Sequence, residues 1–217
     1  MRTENIDMLQ LTYKAIKPKI DEKLQAFRNI WKAGDNKKIF KELLFCLLTP
    51  QSKAESAWEI IENLEKKNLL LRAKENILRN ELRKIRFKNK KAEYIKNAQG
   101  MFVDNNGKIK IVEIIENFKS PTEAREWLAD KVKGMGYKEA SHFLRNIGKG
   151  EDLTILDRHI LKALVKFGII AELPNSLNRK KYISIEQRMR EFSKETDIPL
   201  AHLDFVLWQI QTKRIFK

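Results

Sequence analysis

Two side chains in the second half of this 217-residue chain, Lys138 and Asp157, lie nineteen residues apart and are of the types that could form a reactive pair. A lysine amine can attack an electrophilic carbon and form a covalent Schiff base, and a nearby carboxylate can stabilise positive charge that develops on the substrate. Taken singly, Lys138 is typical of a surface lysine, and Asp157 is typical of the N-cap of a helix that begins at Arg158. Together they could act as a nucleophile and its carboxylate partner.

The segment around Lys138 predicts two helices joined by a very tight turn. An amphipathic helix runs into Gly134-Met135-Gly136, and a second helix follows with apolar residues on one face, namely Ala140, Phe143, Leu144 and Ile147. Glycine tolerates positive φ and lets another backbone approach closely, and Met135 can plug the space between the helices. With Gly134 and Gly136 in the turn, the N–H groups that begin the second helix face outward, where they can hold a DNA phosphate.

The charge balance favours a polyanionic partner. Lysine and arginine total 44 against 29 acidic residues, which gives a net charge of +15 and a pI of about 9.8. Such an excess attracts nucleic acid. The alternative is a lysine- and glutamate-rich surface of the thermophile kind, but balanced ion pairs would not leave this surplus.

The single cysteine, Cys46, excludes an internal disulfide, a zinc knuckle and a four-cysteine iron–sulfur cluster. The three histidines are scattered, so we expect no metal site and no required cofactor. No apolar run is long enough to cross a bilayer, and the first residues do not lead into a secretory signal. We therefore expect no membrane partner and a cytoplasmic, nucleoid-associated location. For the oligomeric state, we expect a monomer.

Hydrophobic periodicity predicts helices along most of the chain. Apolar residues recur at three- and four-residue steps in 39–48, 57–64, 92–101, 111–118 and 160–167. We expect glycines and prolines to fall between the helices, and Ser120-Pro121 is a typical helix start. Strand-like alternation is scarce, so the sequence predicts an all-α protein of about ten short helices.

These segments resemble the helix-hairpin-helix DNA glycosylases that also have lyase activity. Enzymes of that kind carry a catalytic lysine after the hairpin and a catalytic aspartate at closely similar spacing, so the resemblance places those roles on Lys138 and Asp157. Cleavage of an N-glycosidic bond develops positive charge on the deoxyribose, which the carboxylate would stabilise. The lysine would form a Schiff base with the sugar, which permits β-elimination of the 3′ phosphate.

Within that superfamily the whole chain resembles the compact 8-oxoguanine DNA glycosylase/lyase family of archaea and some thermophilic bacteria. The segments that carry the resemblance are Thr49-Pro50-Gln51-Ser52, 85–92, the hairpin with Lys138, Leu156-Asp157-Arg158-His159, and 203–208 with Lys217. The missing cysteine cluster departs from the endonuclease III and adenine-mismatch branches. The partner implied is double-stranded DNA that contains 8-oxoguanine.

The resemblance also implies a pocket for the flipped base. Phe87 and Trp208 would sandwich the base, because an extruded purine needs two π-faces to replace its lost stacking. The C-terminal Lys217 would help to distinguish 8-oxoguanine, which carries a hydrogen at N7, from guanine. Asp204 is a weaker candidate for a polar contact to the base, and Gln51 would lie near the flipped nucleotide.

The expected architecture is two helical lobes with the DNA-binding cleft between them. One lobe would combine residues 1–40 and 155–217, and the other would hold residues 41–154 and end in the hairpin at about 128–148. The tight turn directs carbonyls outward, so a monovalent cation could bind there.

Two alternatives to this function remain open. The first is a glycosylase/lyase for another damaged base, such as an oxidised pyrimidine, because the Lys138–Asp157 pair is common to these enzymes. The second is a non-enzymatic helix-hairpin-helix module that grips the DNA backbone. Such a module needs neither side chain of the pair.

Overall fold

The computed structural model describes the backbone of residues 2–212 and the side chains of residues 5–212. Within this range the chain forms eleven α-helices, a short 3-10 helix at Leu82–Lys84 and no strand, apart from an isolated bridge between Val103 and Ile109. The helices are α1 (Arg2–Lys32), α2 (Asn36–Leu48), α3 (Ala54–Lys66), α4 (Glu75–Glu81), α5 (Lys88–Phe102), α6 (Ile111–Glu116), α7 (Pro121–Lys131), α8 (Tyr137–Asn146), α9 (Arg158–Lys166), α10 (Arg179–Glu195) and α11 (Leu200–Thr212). The prediction of an all-α fold is confirmed.

Several helices begin at a side chain that accepts hydrogen bonds from their first free N–H groups. Asp35 caps α2, Ser120 caps α7, Asp157 caps α9 and Asn178 caps α10. Pro121 follows Ser120 at the first turn of α7, where a missing N–H costs nothing, as the sequence predicts.

The expectation that glycine and proline fall between helices is wrong at Pro18, which lies inside the 31-residue α1, and at Gly100, which lies inside α5. A proline inside a helix removes one backbone hydrogen bond. Tertiary packing compensates in α1, because the helix buries an apolar stripe that consists of Leu9, Ile20, Leu24 and Phe27.

The chain forms two compact units, one of Met1–Asn29 with Leu144–Lys217 and one of Ile30–Phe143. We call them the terminal unit and the central unit. Their bounds lie at 29/30 and 143/144, whereas the sequence suggested 40/41 and 154/155. In the terminal unit α9 and α10 pack against α11, and in the central unit α2 packs against α3, α5 and α6. None of the described helices is long and apolar enough to span a membrane.

Candidate active site

The predicted hairpin is present, and its two glycines have different roles. The turn between α7 and α8 passes through Gly134 at φ +86°, a conformation that favours glycine, and Met135 beside it is buried. Gly136 does not have positive φ. It precedes the first turn of α8, and its carbonyl accepts the first bond of that helix from the Ala140 N–H.

Lys138 is the second residue of α8, and one quarter of its side chain is exposed. Its Nζ lies 3.6 Å from a carboxylate oxygen of Glu139. The other carboxylate oxygen of Glu139 accepts a hydrogen bond of 3.3 Å from the Gly136 N–H, which is the capping-box arrangement at a helix start. A single carboxylate therefore contacts both Lys138 and a backbone N–H that the sequence assigns to DNA.

Asp157 is the N-cap of α9 in the terminal unit. Its Oδ1 accepts hydrogen bonds of 2.8 Å from the N–H groups of His159 and Ile160, so the sequence-based alternative of a capping residue is correct. Oδ2 is not needed for the cap, and the side chain is partly exposed. Its catalytic role stays a prediction.

The segment that leads to Asp157 is held by two buried side chains of α10, which sequence reasoning missed. The Tyr182 hydroxyl donates to the Thr154 carbonyl at 2.7 Å and accepts from the Leu156 N–H at 3.2 Å. The Glu186 carboxylate accepts from the Thr154 N–H at 3.0 Å and from its hydroxyl at 3.1 Å. These bonds fix the backbone directly before Asp157. The spacing of Tyr182 and Glu186 by four residues on one helix face is the signal that the sequence carries.

Two further predicted residues lie on α11 in the terminal unit. The Trp208 ring is partly exposed and meets the His159 ring edge-on, with centroids 6.2 Å apart, so it lies beside the start of the helix that Asp157 caps.

Asp204 is buried, and its Oδ2 accepts a 2.6 Å bond from Arg145, which also packs over the Phe205 ring. Burial raises the pKa of the Asp204 carboxyl to about 6 despite the attraction of Arg145. Arg145 thus binds the carboxylate of Asp204, for which the sequence suggested a polar contact with the flipped base.

Gln51 and Phe87 lie in the central unit and share a rare backbone conformation. Gln51 has φ +54° and Phe87 has φ +59°, both left-handed, and both side chains are exposed, Phe87 by 51%. Non-glycine residues in this region cost about 1–3 kcal/mol each, and they concentrate at functional sites. The strain of two exposed residues favours a functional purpose for both.

Lys91, in the lysine-rich start of α5, connects these two residues. A solvated or phosphate-binding lysine would be exposed, but Lys91 is 2% exposed. Its Nζ donates to the Leu48 carbonyl at 2.7 Å, to the Pro50 carbonyl at 2.8 Å and to the Ser52 hydroxyl at 2.8 Å. Burial, together with the charge of Arg86, lowers the pKa of Lys91 to about 8.

Helix α5 also contacts the hairpin. The Tyr94 ring packs against Gly134. Glu93 forms an ion pair with Lys133, which is the residue before that glycine. In the central unit, the Gln51 turn, Phe87 and the turn of the hairpin therefore all contact residues of helix α5. The terminal unit brings Asp157 and Trp208 together. Lys217, the remaining predicted residue, lies outside the described residues.

The fold is that of the helix-hairpin-helix DNA glycosylases. It matches the crystal structure of a Methanocaldococcus jannaschii 8-oxoguanine glycosylase/lyase in complex with a 15mer DNA containing 8-oxoguanine, with a TM-score of 0.86 and 36% identity over 98% of this chain and 99% of that one. It also matches the crystal structure of the 8-oxoguanine DNA glycosylase of Thermotoga maritima, with a TM-score of 0.86 and 28% identity over 100% of both chains.

The chain belongs to the 8-oxoguanine DNA glycosylase family. The model of that family matches residues 20–198. An 8-oxoguanine DNA glycosylase/AP lyase of Fusobacterium nucleatum is 42% identical over 216 residues, which cover 100% of this chain and 99% of the relative.

Proposed function

We propose that this protein excises 8-oxoguanine from double-stranded DNA and then cleaves the strand on the 3′ side of the abasic site. The observation that carries the proposal is similarity over the full chain to 8-oxoguanine DNA glycosylase/AP lyases, together with a hairpin that presents Lys138 at the start of α8. The net charge of +15 suits a DNA substrate. Action on chromosomal DNA would place the protein at the nucleoid.

In the proposed reaction the unprotonated Lys138 amine attacks C1′ of the flipped nucleotide. The N-glycosidic bond breaks, and the base leaves after it accepts a proton. The carboxylate of Asp157 stabilises the positive charge that develops on the sugar. The C1′–O4′ bond of this adduct then breaks, as Nζ loses a proton and O4′ takes one up, which opens the sugar ring and leaves a Schiff base between Nζ and C1′. The Schiff base makes the C2′ hydrogen acidic, so that loss of this proton expels the 3′ phosphate. Hydrolysis of the imine frees the lysine.

This chemistry uses an amine and a carboxylate, so we propose that it needs no metal and no iron–sulfur cluster. Dialysis against a chelator should leave excision unchanged. A monovalent cation at the hairpin would affect DNA affinity instead, and replacement of potassium by lithium in a binding assay tests for it. Sedimentation with and without DNA tests the expected monomer.

Base recognition is proposed to rest on Phe87 and Trp208 as the stacking pair, with Gln51 near the extruded nucleotide and Lys217 as a further contact. Removal of Lys217 should then lower the preference for 8-oxoguanine over guanine. A direct contact from Asp204 would require its carboxylate to leave Arg145, so we expect Asp204 to act on the base less than the other four.

Borohydride trapping on a duplex with one 8-oxoguanine opposite cytosine tests the proposal. The wild type should form a covalent adduct, and Lys138→Gln should form none. Lys131→Gln is a matched control, because it removes an exposed lysine at the end of α7, just before the turn of the hairpin. Failure of the folded wild type to form an adduct, or adduct formation by Lys138→Gln, would contradict the proposal.

A further inference from the structure

We propose that Lys91 is a positioning residue for lesion recognition: its ammonium binds the turn that carries Gln51 and fixes Gln51 relative to Phe87. This inference rests on the proposed function, which gives Gln51 and Phe87 their contacts with DNA. Lys91 itself is buried, so it acts through these two residues.

Residues 49–52 form a turn that carries Gln51. The Ser52 N–H donates to the Thr49 carbonyl at 2.9 Å, and Gln51 is the third residue of the turn, where positive φ ordinarily selects glycine or asparagine. The acceptors of Lys91 lie on both sides of Gln51, at the Pro50 carbonyl and the Ser52 hydroxyl. The third acceptor, the Leu48 carbonyl, is at the end of α2. The Lys91 ammonium therefore binds the turn on both sides of Gln51, whose side chain is exposed.

Phe87 lies one helical turn before Lys91. This residue precedes α5 in a left-handed conformation, and its carbonyl accepts a bond of 3.0 Å from the Lys91 N–H. Lys91 thus holds Phe87 with its backbone and the Gln51 turn with its side chain. Strained conformations persist only where the surrounding structure over-determines them. The Lys91 ammonium supplies that constraint to the Gln51 turn, and the first backbone bond of α5 supplies it to Phe87.

The side-chain type at position 91 matches its acceptors. Three oxygen acceptors converge on one buried point, and an ammonium provides three donors and no acceptor. A neutral side chain of similar length would leave at least one buried oxygen without a donor, which loosens the turn. Lysine therefore fits this position for a reason other than contact with phosphate.

The chain offers a matched control on the same helix. Gln99 is 3% exposed, and its side chain donates to the Leu69 and Leu70 carbonyls and accepts from the Ala73 N–H. Its side-chain hydrogen bonds hold the 69–73 loop in the same way that those of Lys91 hold the 49–52 turn. Gln99→Met and Lys91→Met therefore remove comparable buried bonds from α5, but only the second removes them from a proposed DNA-contacting turn.

The experiment measures single-turnover excision of 8-oxoguanine opposite cytosine and, separately, cleavage at a preformed abasic site. We expect Lys91→Met to slow excision at least tenfold and to change abasic-site cleavage by less than threefold, because that cleavage needs no base recognition. Lys91→Gln, which keeps two donors, should recover part of the excision rate. Gln99→Met should stay within twofold of the wild type in both assays.

A double-mutant cycle tests whether Lys91 acts through Gln51. We expect the loss in Gln51→Ala/Lys91→Met to be no larger than the greater single loss, and Lys91→Gln replaces Lys91→Met if the latter does not fold. Additive losses, excision by Lys91→Met within twofold of the wild type, or the same selective loss in Gln99→Met would overturn the proposal. If the wild type cleaves abasic sites but does not excise 8-oxoguanine, the substrate proposal fails instead. The same comparison on the base that the wild type does excise then decides the role of Lys91.

Discussion

The aromatic ring of Tyr94 packs directly on Gly134, so closely that a β-carbon at position 134 would overlap the ring. Gly134 also has φ +86°, which side chains rarely adopt. Two independent constraints therefore require glycine at the hairpin. Neither applies at Gly136, where a β-carbon would meet only the flexible carboxylate of Glu139, at 3.3 Å.

The two hairpin glycines should consequently differ in their tolerance of alanine. We expect Gly134→Ala to lower the free energy of unfolding by about 2–4 kcal/mol, from left-handed strain plus the overlap with Tyr94, and to weaken DNA binding. Gly136→Ala should cost less than about 1 kcal/mol. Chemical denaturation and binding to an undamaged duplex measure both effects. Equal losses in the two variants would contradict this account of the turn.

Asp157 combines a cap with the proposed catalytic role, and Asp157→Asn separates the two. Asparagine caps helices as well as aspartate does, so the free energy of unfolding should change by less than about 1 kcal/mol. Loss of the negative charge should slow excision on the order of a hundredfold or more. Single-turnover kinetics and denaturation measure the two effects. The control is Asp35→Asn at the cap of α2, which should leave excision intact.

The Tyr182 hydroxyl bridges Thr154 and Leu156 just before Asp157, which predicts an effect on catalysis from a buried residue. Tyr182→Phe keeps the ring and removes the bridge. We expect a loss of about 1–3 kcal/mol in stability and a decrease in excision on the order of tenfold, because small displacements of a catalytic group are costly.

Tyr13→Phe is the matched control for Tyr182→Phe. It removes a hydroxyl that hydrogen-bonds to His202 at 3.2 Å in the same unit, and it should leave excision unchanged. Non-additivity with Asp157→Asn is the decisive readout. If the Tyr182→Phe effect is the same in the wild type and in Asp157→Asn, the tyrosine does not act through the aspartate.

Asp204 predicts an unusual dependence of stability on pH. Its pKa is about 6 in the folded protein and ordinarily 3.8, so between these values the folded state keeps a proton that the unfolded state has lost. Stability from this group therefore falls as the pH rises from about 4 to 6, by about 3 kcal/mol. Denaturation at several pH values should show this decline in the wild type relative to Asp204→Asn. Parallel profiles for the two proteins would contradict it.

The sequence predicted the all-α fold and the hairpin because their signals are local. Helical periodicity, the Ser120-Pro121 start and the buried Met135 are all written in short stretches of chain. The cap at Asp157 is local too, since its bonds reach only two and three residues ahead.

The partners of buried charges could not be predicted in the same way, because they are distant in sequence. Lys91 reaches acceptors around Gln51 some forty residues earlier, and Arg145 reaches Asp204. One local clue was available for Lys91, since it falls at helical spacing on the buried stripe of α5 that continues through Ile95, Ala98 and Phe102. A charged residue on such a stripe indicates a buried hydrogen-bonding role.

Helix α5 also fixes the distance and the relative rotation between its N-terminal end at Phe87 and the position where it contacts the hairpin. From Lys88, its first residue, to Tyr94 the helix rises about 9 Å and rotates through about 600°. The length of this stretch therefore sets the distance and the rotation angle about the helix axis between Phe87 and the residue that contacts the hairpin, Tyr94. A substitution on its outer side alters neither quantity, but one inserted or deleted residue would turn the two ends by about 100° against each other. Changes of chain length during the divergence of this family should therefore collect in its loops and spare residues 88–94.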